Sequence, residues 1–254
     1  MNPTPYTDIN ELLSQLLSGM QKILGNKLIG LYLYGSLVWG DFDYEISDID
    51  LLAPVATDID DNEYSALKQM HDDFALQHPK WNDRIEVQYL SVFALKTFKS
   101  QSSSMVNISP GEPIHFNTAG KEWLMNWYFV QDYGVTLLGP APQTLIEPIT
   151  KDEFLHAVRD HAEQWREHVI HTRNSPPYQA YAILTLCRVL YTSRNGEQVS
   201  KKHAALWVAE QLPEWSTLIQ NALLWRKDPQ NNKASFPETV KFVHFMIGQI
   251  VGKA

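Results

Sequence analysis

Two short segments near the start of the chain constrain its fold more than any other feature. An apolar stretch ends in Gly35-Ser36, and after eleven intervening residues a second stretch reads Asp48-Ile49-Asp50. An apolar run that ends in glycine is typical of a strand that leaves a sheet through a tight turn. Because side chains alternate between the faces of a strand, the two aspartates share one face and Ile49 points to the other.

This arrangement predicts a divalent-cation site beside a phosphate site. Two carboxylates on one face supply the oxygen ligands that a hard cation such as Mg²⁺ prefers. Gly35 permits a tight turn, and the backbone amides near Ser36 are then available to a phosphate. A metal beside a phosphate cradle is typical of enzymes that transfer phosphoryl or nucleotidyl groups.

Composition limits the possible partners. The 254 residues suffice for one large domain or two modest ones, and the formal net charge is −8. That charge argues against a large nucleic-acid surface, which needs clustered Lys and Arg, and suits a small cationic partner. The chain has no run of 18 apolar residues and begins without the pattern of a secretory signal. We therefore expect a cytoplasmic monomer that binds neither nucleic acid nor membrane.

The first part of the chain combines helix and strand patterns. The sequence predicts a helix opened by an Asp8–Glu11 capping box and ending near 22, and a long loop over 100–120 that is rich in Ser, Gly and Pro. Strict alternation over 84–90 predicts a half-buried strand. The other predicted elements are strands over 28–34 and 48–53, the second stopped by Pro54, and helices over 61–77 and 121–133.

The second part of the chain reads as purely helical. Gly139-Pro-Ala-Pro142 marks a predicted boundary, which gives domains 1–142 and 143–254. About five helices follow, with starts predicted at Thr150, after Ser175-Pro-Pro177 at about 180, at Ser200 and at Ser235. The lone Cys187 lies in one of them and is predicted to be a core residue. The predicted fold class is α+β, with a mixed sheet flanked by helices and then an all-helical bundle.

A third carboxylate, Glu86, lies on the strand predicted over 84–90. It follows Asp50 by 36 residues, which is room for a helix and a return strand beside the first pair. In nucleotidyl transfer such a carboxylate serves as general base, as ligand of a second metal ion, or as both. The alternative is a polar residue on a solvated strand face, which is the better interpretation of an isolated glutamate. Its place after the other two signals favours the catalytic role.

The spacing of Gly35-Ser36 and Asp48-Ile49-Asp50 resembles the signature of the nucleotidyltransferase superfamily related to DNA polymerase β. Further segments resemble the aminoglycoside 3''/9 adenylyltransferases, enzymes that confer streptomycin and spectinomycin resistance. This resemblance extends over nearly the whole chain. Its segments are 38–52, 84–90, 122–127, 184–188, 199–202 and 207–213.

The resemblance implies a role for each motif residue of the first domain. Gly35 and Ser36 match the nucleotide-binding turn, in which the serine contacts a phosphate. Asp48 and Asp50 match ligands of Mg²⁺. Glu86 matches the catalytic base and is a further candidate metal ligand.

The resemblance also implies a role for the helical domain. Lys201 matches a lysine that reaches the phosphates of the nucleotide, and Lys202 is the alternative. The implied site lies in a cleft between the two domains and uses ATP as co-substrate with one or two Mg²⁺ ions. The implied reaction transfers AMP to a hydroxyl of a cationic aminocyclitol antibiotic and releases pyrophosphate.

One segment departs from the family pattern. The relatives that accept streptomycin carry acidic and tryptophan residues just before the segment that is Leu184-Thr185-Leu186 here, whereas residues 172–179 of this chain contain no acid. The acceptor therefore stays open. One alternative is an antitoxin-like adenylyltransferase that modifies a protein, and the fused helical part argues against it. The other is a nucleotide-binding module without catalysis, and retention of all three acids argues against that.

Overall fold

The chain divides into two compact units, Met1–Ile149 and Thr150–Ala254. The computed structural model describes residues 2–226 and 235–252. Within these ranges, no helix combines the length and the apolar character needed to cross a membrane. We propose the sequence-based limits, 1–142 and 143–254, as the domains of the protein.

A mixed six-stranded sheet forms the centre of the first unit. Its strand order is β5-β4-β3-β2-β1-β6, in which β2 and β3 are parallel and all other neighbours are antiparallel. The strands are β1 Leu31–Tyr34, β2 Ile49–Val55, β3 Ile85–Ser91, β4 Ser103–Ser109, β5 Glu112–Ala119 and β6 Val135–Leu138.

Two long helices cover one face of this sheet. They are α1, Thr7–Leu24, and α3, Asp61–Gln77. Leu16 of α1 and Leu67 of α3 share a buried core with apolar residues of β1, β2 and β3, namely Leu33, Leu51 and Val87. The polar side chains of those strands therefore lie on the opposite face. The helices of the first unit are α1 Thr7–Leu24, α2 Ser36–Trp39, α3 Asp61–Gln77, α4 Val92–Thr97 and α5 Leu124–Tyr133. Short 3₁₀ turns lie at Gly25–Lys27, Pro79–Trp81, Lys121–Trp123 and Pro142–Thr144.

The start of α1 differs from the prediction. The helix begins one residue before Asp8, and its N-cap, Tyr6, makes no side-chain capping bond. The predicted Asp8–Glu11 capping box is therefore wrong. Asn10 instead folds the preceding segment back, because its amide both accepts from and donates to Thr4. A short polar side chain can satisfy the backbone outside the helix in this way.

Strand β2 continues through Pro54, where the sequence predicted its end. Pro54 pairs with Leu90 of β3 in the parallel register. Its carbonyl accepts hydrogen bonds from the backbone N–H groups of Ile29 and Gly30, at 2.9 and 3.3 Å. The missing N–H of proline is tolerated here because the adjacent segment, at Ile29 and Gly30, donates to Pro54 and needs no donor from it.

The segment predicted as a long loop over 100–120 is a β-hairpin instead. Strands β4 and β5 are joined at Gly111, whose φ of 80° lies in the left-handed region that glycine adopts without strain. Pro113 lies in β5, which is an edge strand and therefore accommodates a residue without a ladder donor. The Ser, Gly and Pro of this segment thus mark a turn and a sheet edge.

Strand β3 is buried on both faces, which contradicts the predicted half-buried strand. Ile85 and Val87 contribute to the core under α1 and α3, as the alternation predicted. On the other face, however, Gln88 is fully buried and Leu90 is 1% exposed. The hairpin β4–β5 extends the sheet beyond β3, so β3 is a central strand rather than an edge.

In the second unit, the described residues contain five α-helices, in agreement with the prediction. Thr150 forms the predicted capping box with Glu153, and Ser200 caps its helix. One predicted start is wrong, because the helix after Ser175 begins at the prolines themselves, which fit the first turn of a helix. The helices are α6 Lys151–His168, α7 Pro176–Asn195, α8 Lys201–Gln211, α9 Ser216–Trp225 and α10 Phe236–Val251. Short 3₁₀ turns lie at Val169–Thr172 and Pro213–Trp215.

Helix α7 carries more buried side chains than any other described helix of this unit. Cys187 is fully buried on it, as predicted, and burial raises the pKa of its thiol. Together, the sheet of the first unit and the helices of the second confirm the α+β fold class.

We expect the stability of the protein to fall below pH 6.5 because of His71. This residue is buried on α3, where its Nε2 lies 2.8 Å from the hydroxyl of Tyr89. Burial lowers its pKa to about 4, and Asp72 opposes that shift only in part. Between pH 6.5 and 4 the unfolded chain binds a proton that the folded chain excludes, so unfolding becomes easier as the pH falls. The loss is about 2 kcal/mol between pH 6.5 and 5.

Urea denaturation from pH 7.5 to 5 measures this slope. In His71→Gln the slope should be shallower than in the wild type. The control is His244→Gln, since His244 is exposed and its replacement should leave the slope unchanged. Equal slopes in all three proteins would contradict the assignment to His71.

Candidate functional site

The register of three neighbouring strands brings the predicted acids together. Tyr34 at the end of β1 is paired with Asp50 on β2, and Asp50 is paired with Glu86 on β3. Residues paired in this way lie on the same face of a sheet. The three side chains therefore form one polar row on the face opposite α1 and α3.

Asp48 joins this row from the loop just before β2. The guanidinium of Arg84 holds that loop, because its Nε donates to the carbonyl of Ser47 at 2.9 Å and its Nη2 donates to Ser47 and, at 3.0 Å, to Tyr44. The ring of Trp81 lies beneath it, 4.6 Å from the guanidinium carbon. Partial burial lowers the pKa of Arg84, and nearby carboxylates, Asp48 foremost, oppose the shift.

The three acids predicted as metal ligands form one cluster. Asp48, Asp50 and Glu86 each offer a carboxylate oxygen, and these oxygens all lie within 4.8 Å of one another. All three residues are half-buried. A compact set of anionic oxygens is the donor set that Mg²⁺ prefers, so these residues fit the predicted metal.

Gly35 makes this arrangement possible through its lack of a side chain. Its φ is 75°, and a Cβ built on it would lie 1.8 Å from Oδ2 of Asp50. Any other residue would therefore displace the carboxylate of Asp50 from the cluster. The glycine predicted from the sequence as a turn residue is also a residue of close approach.

Ser36 follows at the start of α2. Among the described residues, no hydrogen-bond partner is found for its Oγ, although that atom is buried. A buried hydroxyl without a partner is unusual in a folded protein, and this one is available to a ligand.

A second group of polar residues, which the sequence analysis did not single out, surrounds Glu86. Gln88 donates from Nε2 to Oε1 of Glu86 at 2.7 Å, and its own Oε1 accepts the hydroxyl of Tyr34 at 2.9 Å. The same Nε2 lies 3.4 Å from Oδ1 of Asn107 on β4. Asn107 falls in the segment predicted as a loop, so no sequence signal indicated this contact.

Tyr34 is protonated in this setting. Burial raises the pKa of its hydroxyl well above the ordinary value, and the negative charges of Glu86, Asp50 and Asp48 add to the shift. A hydrogen bond from the side chain of Asn126 on α5 acts in the opposite direction. A neutral phenol is a hydrogen-bond donor, in agreement with its bond to Gln88.

Comparisons with known proteins agree with this architecture. The sequence profile described as "Aminoglycoside adenylyltransferase, C-terminal domain" matches residues 144–249. An aminoglycoside (3'')(9) adenylyltransferase of Shigella flexneri is 25% identical to the chain, and one of Klebsiella pneumoniae is 26% identical. Each alignment covers 100% of both chains. These similarities support the family predicted from the sequence, the aminoglycoside (3'')(9) adenylyltransferases.

A solved structure of similar architecture supports this fold. The spectinomycin adenyltransferase AAD(9) from Enterococcus faecialis, crystallised with ATP and spectinomycin, aligns with a TM-score of 0.73. The alignment covers 95% of this chain and 98% of that chain, at 18% identity. At this identity the likeness establishes the shared fold.

The second unit, which the family's C-terminal profile matches, contains the lysine predicted to contact the nucleotide. Lys201 is half-buried at the start of α8, and its Nζ lies 3.9 Å from the centre of the Tyr181 ring. The side chains of Arg188 and Lys201 bring positive charge close to His161. The pKa of the neighbouring His161 falls to about 4, mainly through burial and then through the charges of Arg188, Lys201 and His168. Arg188 lies in the family-like segment 184–188 but was not among the predicted site residues.

We expect Gly35→Ala to weaken cation binding about tenfold or more, because the new methyl group would displace Asp50. The matched control is Gly25→Ala. Gly25 also has a positive φ, 53°, and apart from its chain neighbours no described atom lies within 4 Å of a Cβ at that position. Both variants lose stability through backbone strain, and only Gly35→Ala should lose Mn²⁺ affinity in an electron paramagnetic resonance titration. Equal affinities in the two variants would contradict the close-approach role.

Proposed function

We propose that this protein transfers AMP from ATP to a hydroxyl of an aminoglycoside or aminocyclitol antibiotic of the streptomycin or spectinomycin type, with release of pyrophosphate. The observation that carries this proposal is the cluster of three carboxylates beside Gly35-Ser36 in a chain similar to the aminoglycoside (3'')(9) adenylyltransferases. The activity after which the relatives are named supports it, and so do the ATP and spectinomycin of the AAD(9) crystal structure.

Asp48, Asp50 and Glu86 are the residues that we propose as Mg²⁺ ligands, for one or two ions. Their donor set is anionic, compact and half-buried, which suits a hard divalent cation. When bound, Mg²⁺ neutralises charge on the phosphates and favours in-line displacement at the α-phosphorus.

Two residues of the first unit act directly in the proposed reaction. The hydroxyl of Ser36, for which no partner is found among the described residues, donates to a phosphate oxygen. Glu86 accepts the proton of the acceptor hydroxyl as the oxygen–phosphorus bond forms. The bond from the α-phosphorus to the bridging oxygen breaks, and that oxygen leaves with pyrophosphate.

The helical unit supplies Lys201, which we propose as a contact for the phosphates of ATP. Its positive charge, reinforced by Arg188, suits an anionic polyphosphate. The proposed antibiotic is cationic and suits a chain with a formal net charge of −8. We further propose that the enzyme acts as a cytoplasmic monomer without a nucleic-acid partner.

Pyrophosphate release from MgATP, measured with streptomycin, spectinomycin and a panel of other aminoglycosides, tests the reaction and its acceptor together. We expect release that depends on one or a few of these antibiotics. Asp50→Asn should reduce it to background because it removes a metal ligand. Glu86→Gln should lower kcat by about 10² to 10⁴, the usual contribution of a positioned general base.

Different results would overturn different parts of the proposal. Unchanged release in Asp50→Asn would disprove the metal assignment. A loss below tenfold in Glu86→Gln would disprove the base assignment. If no antibiotic gave pyrophosphate release while ATP still bound, the proposed acceptor class would be disproved. Other hydroxyl groups, including those of protein side chains, would then be tested as acceptors.

The phosphate role of Lys201 has a matched control in the next residue. We expect Lys201→Met to raise the KM for ATP about tenfold or more, since it removes a charge that faces the polyphosphate. Lys202→Met should change this KM less than twofold, because Lys202 is exposed on the same helical turn. Initial rates at varied ATP concentration measure both effects. A larger effect of Lys202→Met would assign the phosphate contact to Lys202 instead.

A further inference from the structure

We propose that Gln88 is a positioning residue that sets the orientation of the Glu86 carboxylate for proton abstraction. This inference rests on the proposed function, in which Glu86 is the general base. Gln88 lies two residues after Glu86 on β3, so the two side chains project from the same face of the sheet. Neither the sequence motifs nor the comparisons assign it a role.

The Gln88 amide is in direct contact with the proposed base. Its Nε2 donates to Oε1 of Glu86 at 2.7 Å, which is short for a neutral donor and typical of a bond to a carboxylate. Gln88 is fully buried, whereas Glu86 is half-buried. The amide therefore contacts the carboxylate from the protein interior.

The orientation of this amide is determined by its other neighbours. Its Oε1 accepts the hydroxyl of Tyr34 at 2.9 Å, and its Nε2 lies 3.4 Å from Oδ1 of Asn107. A flipped amide would place its oxygen against two acceptor oxygens, those of Glu86 and Asn107. That arrangement is repulsive, so the –NH₂ group faces Glu86.

A fixed donor matters because a glutamate carboxylate rotates easily. The terminal torsion of glutamate is broad, unlike the staggered torsions closer to the backbone. A bond to Oε1 restricts this rotation and thereby fixes the direction in which the second oxygen points. General-base catalysis depends on this geometry before it depends on basicity.

The chain of contacts begins at Tyr34. Its hydroxyl donates to Oε1 of Gln88 at 2.9 Å. Residues of β1 and β4 thus act on Glu86 through a single amide on β3. A disturbance at Tyr34 should consequently reach Glu86 in weakened form.

The decisive measurement is the kcat of Gln88→Met, which keeps the length of the side chain and removes the donor and the acceptor. We expect kcat to fall about ten- to a hundredfold with the KM for ATP changed less than twofold. Tyr34→Phe should lower kcat about threefold or more. It removes the hydrogen bond that orients the Gln88 amide but leaves the bond from Gln88 to Glu86.

Tyr89→Phe is the matched control. Tyr89 is the next residue on β3, points to the opposite face, and is buried with its hydroxyl 2.8 Å from Nε2 of His71. Its replacement removes a buried hydrogen bond of the same strand, so it should lower the melting temperature but change kcat less than twofold. If Gln88→Met lowered stability and left kcat unchanged, Gln88 would have a structural role only.

A double-mutant comparison shows whether Gln88 acts through Glu86. In a Glu86→Gln background, the further change Gln88→Met should cost less than twofold in kcat, because the group that it positions is already lost. If the two losses multiply, the proposal is overturned. Tyr34→Phe serves for the same comparison if Gln88→Met does not fold.

Crystal structures of the wild type and Gln88→Met separate this proposal from the proposed function. We expect Glu86 in one orientation in the wild type and in a rotated or second orientation in the variant. An unchanged Glu86 would overturn the positioning role. Absence of pyrophosphate release from the wild type would overturn the proposed function, and the two structures would still decide the role of Gln88.

Discussion

The first unit must hold three mutually repelling carboxylates, those of Asp48, Asp50 and Glu86, close together. Like charges whose oxygens lie within 4.8 Å destabilise one another, more so where solvent is partly excluded. Strand register determines the positions of Asp50 and Glu86. The hydrogen bonds from the Arg84 guanidinium to Ser47 hold the loop that ends at Asp48. The fold therefore brings the three carboxylates together before any cation is bound. The unfavourable free energy of their repulsion must be offset by stabilising contacts in the rest of the unit.

The sequence predicted the members of this cluster but not its surroundings. Alternation along the strand predicted over 48–53 places Asp48 and Asp50 on one face, and that information is local. The contact of Gln88 with Asn107 depends on the pairing of β3 with β4, which no local pattern specifies. For the same reason the strand that carries Gln88 was predicted to be half-buried. Whether a strand is central or at an edge depends on distant parts of the chain.

The helical unit was predicted more completely because its signals are short-range. The capping residues Thr150 and Ser200 act within three positions of themselves, so the sequence alone specifies where those helices begin. The error at the start of α7 has a local cause too, since prolines after Ser175 were interpreted as a break. At the start of α1, by contrast, no side chain caps the helix, and the Asn10 side chain bonds to Thr4, six residues before it.

The burial of Cys187 has a practical consequence for studying motion in this enzyme. It is the one cysteine of the chain, it has no exposed surface, and its thiol is held in the unreactive protonated form. A cysteine introduced on the surface would thus be the sole thiol open to maleimide dyes or nitroxide spin labels. The native sequence can serve directly as the background for single-molecule fluorescence, with no prior cysteine replacement.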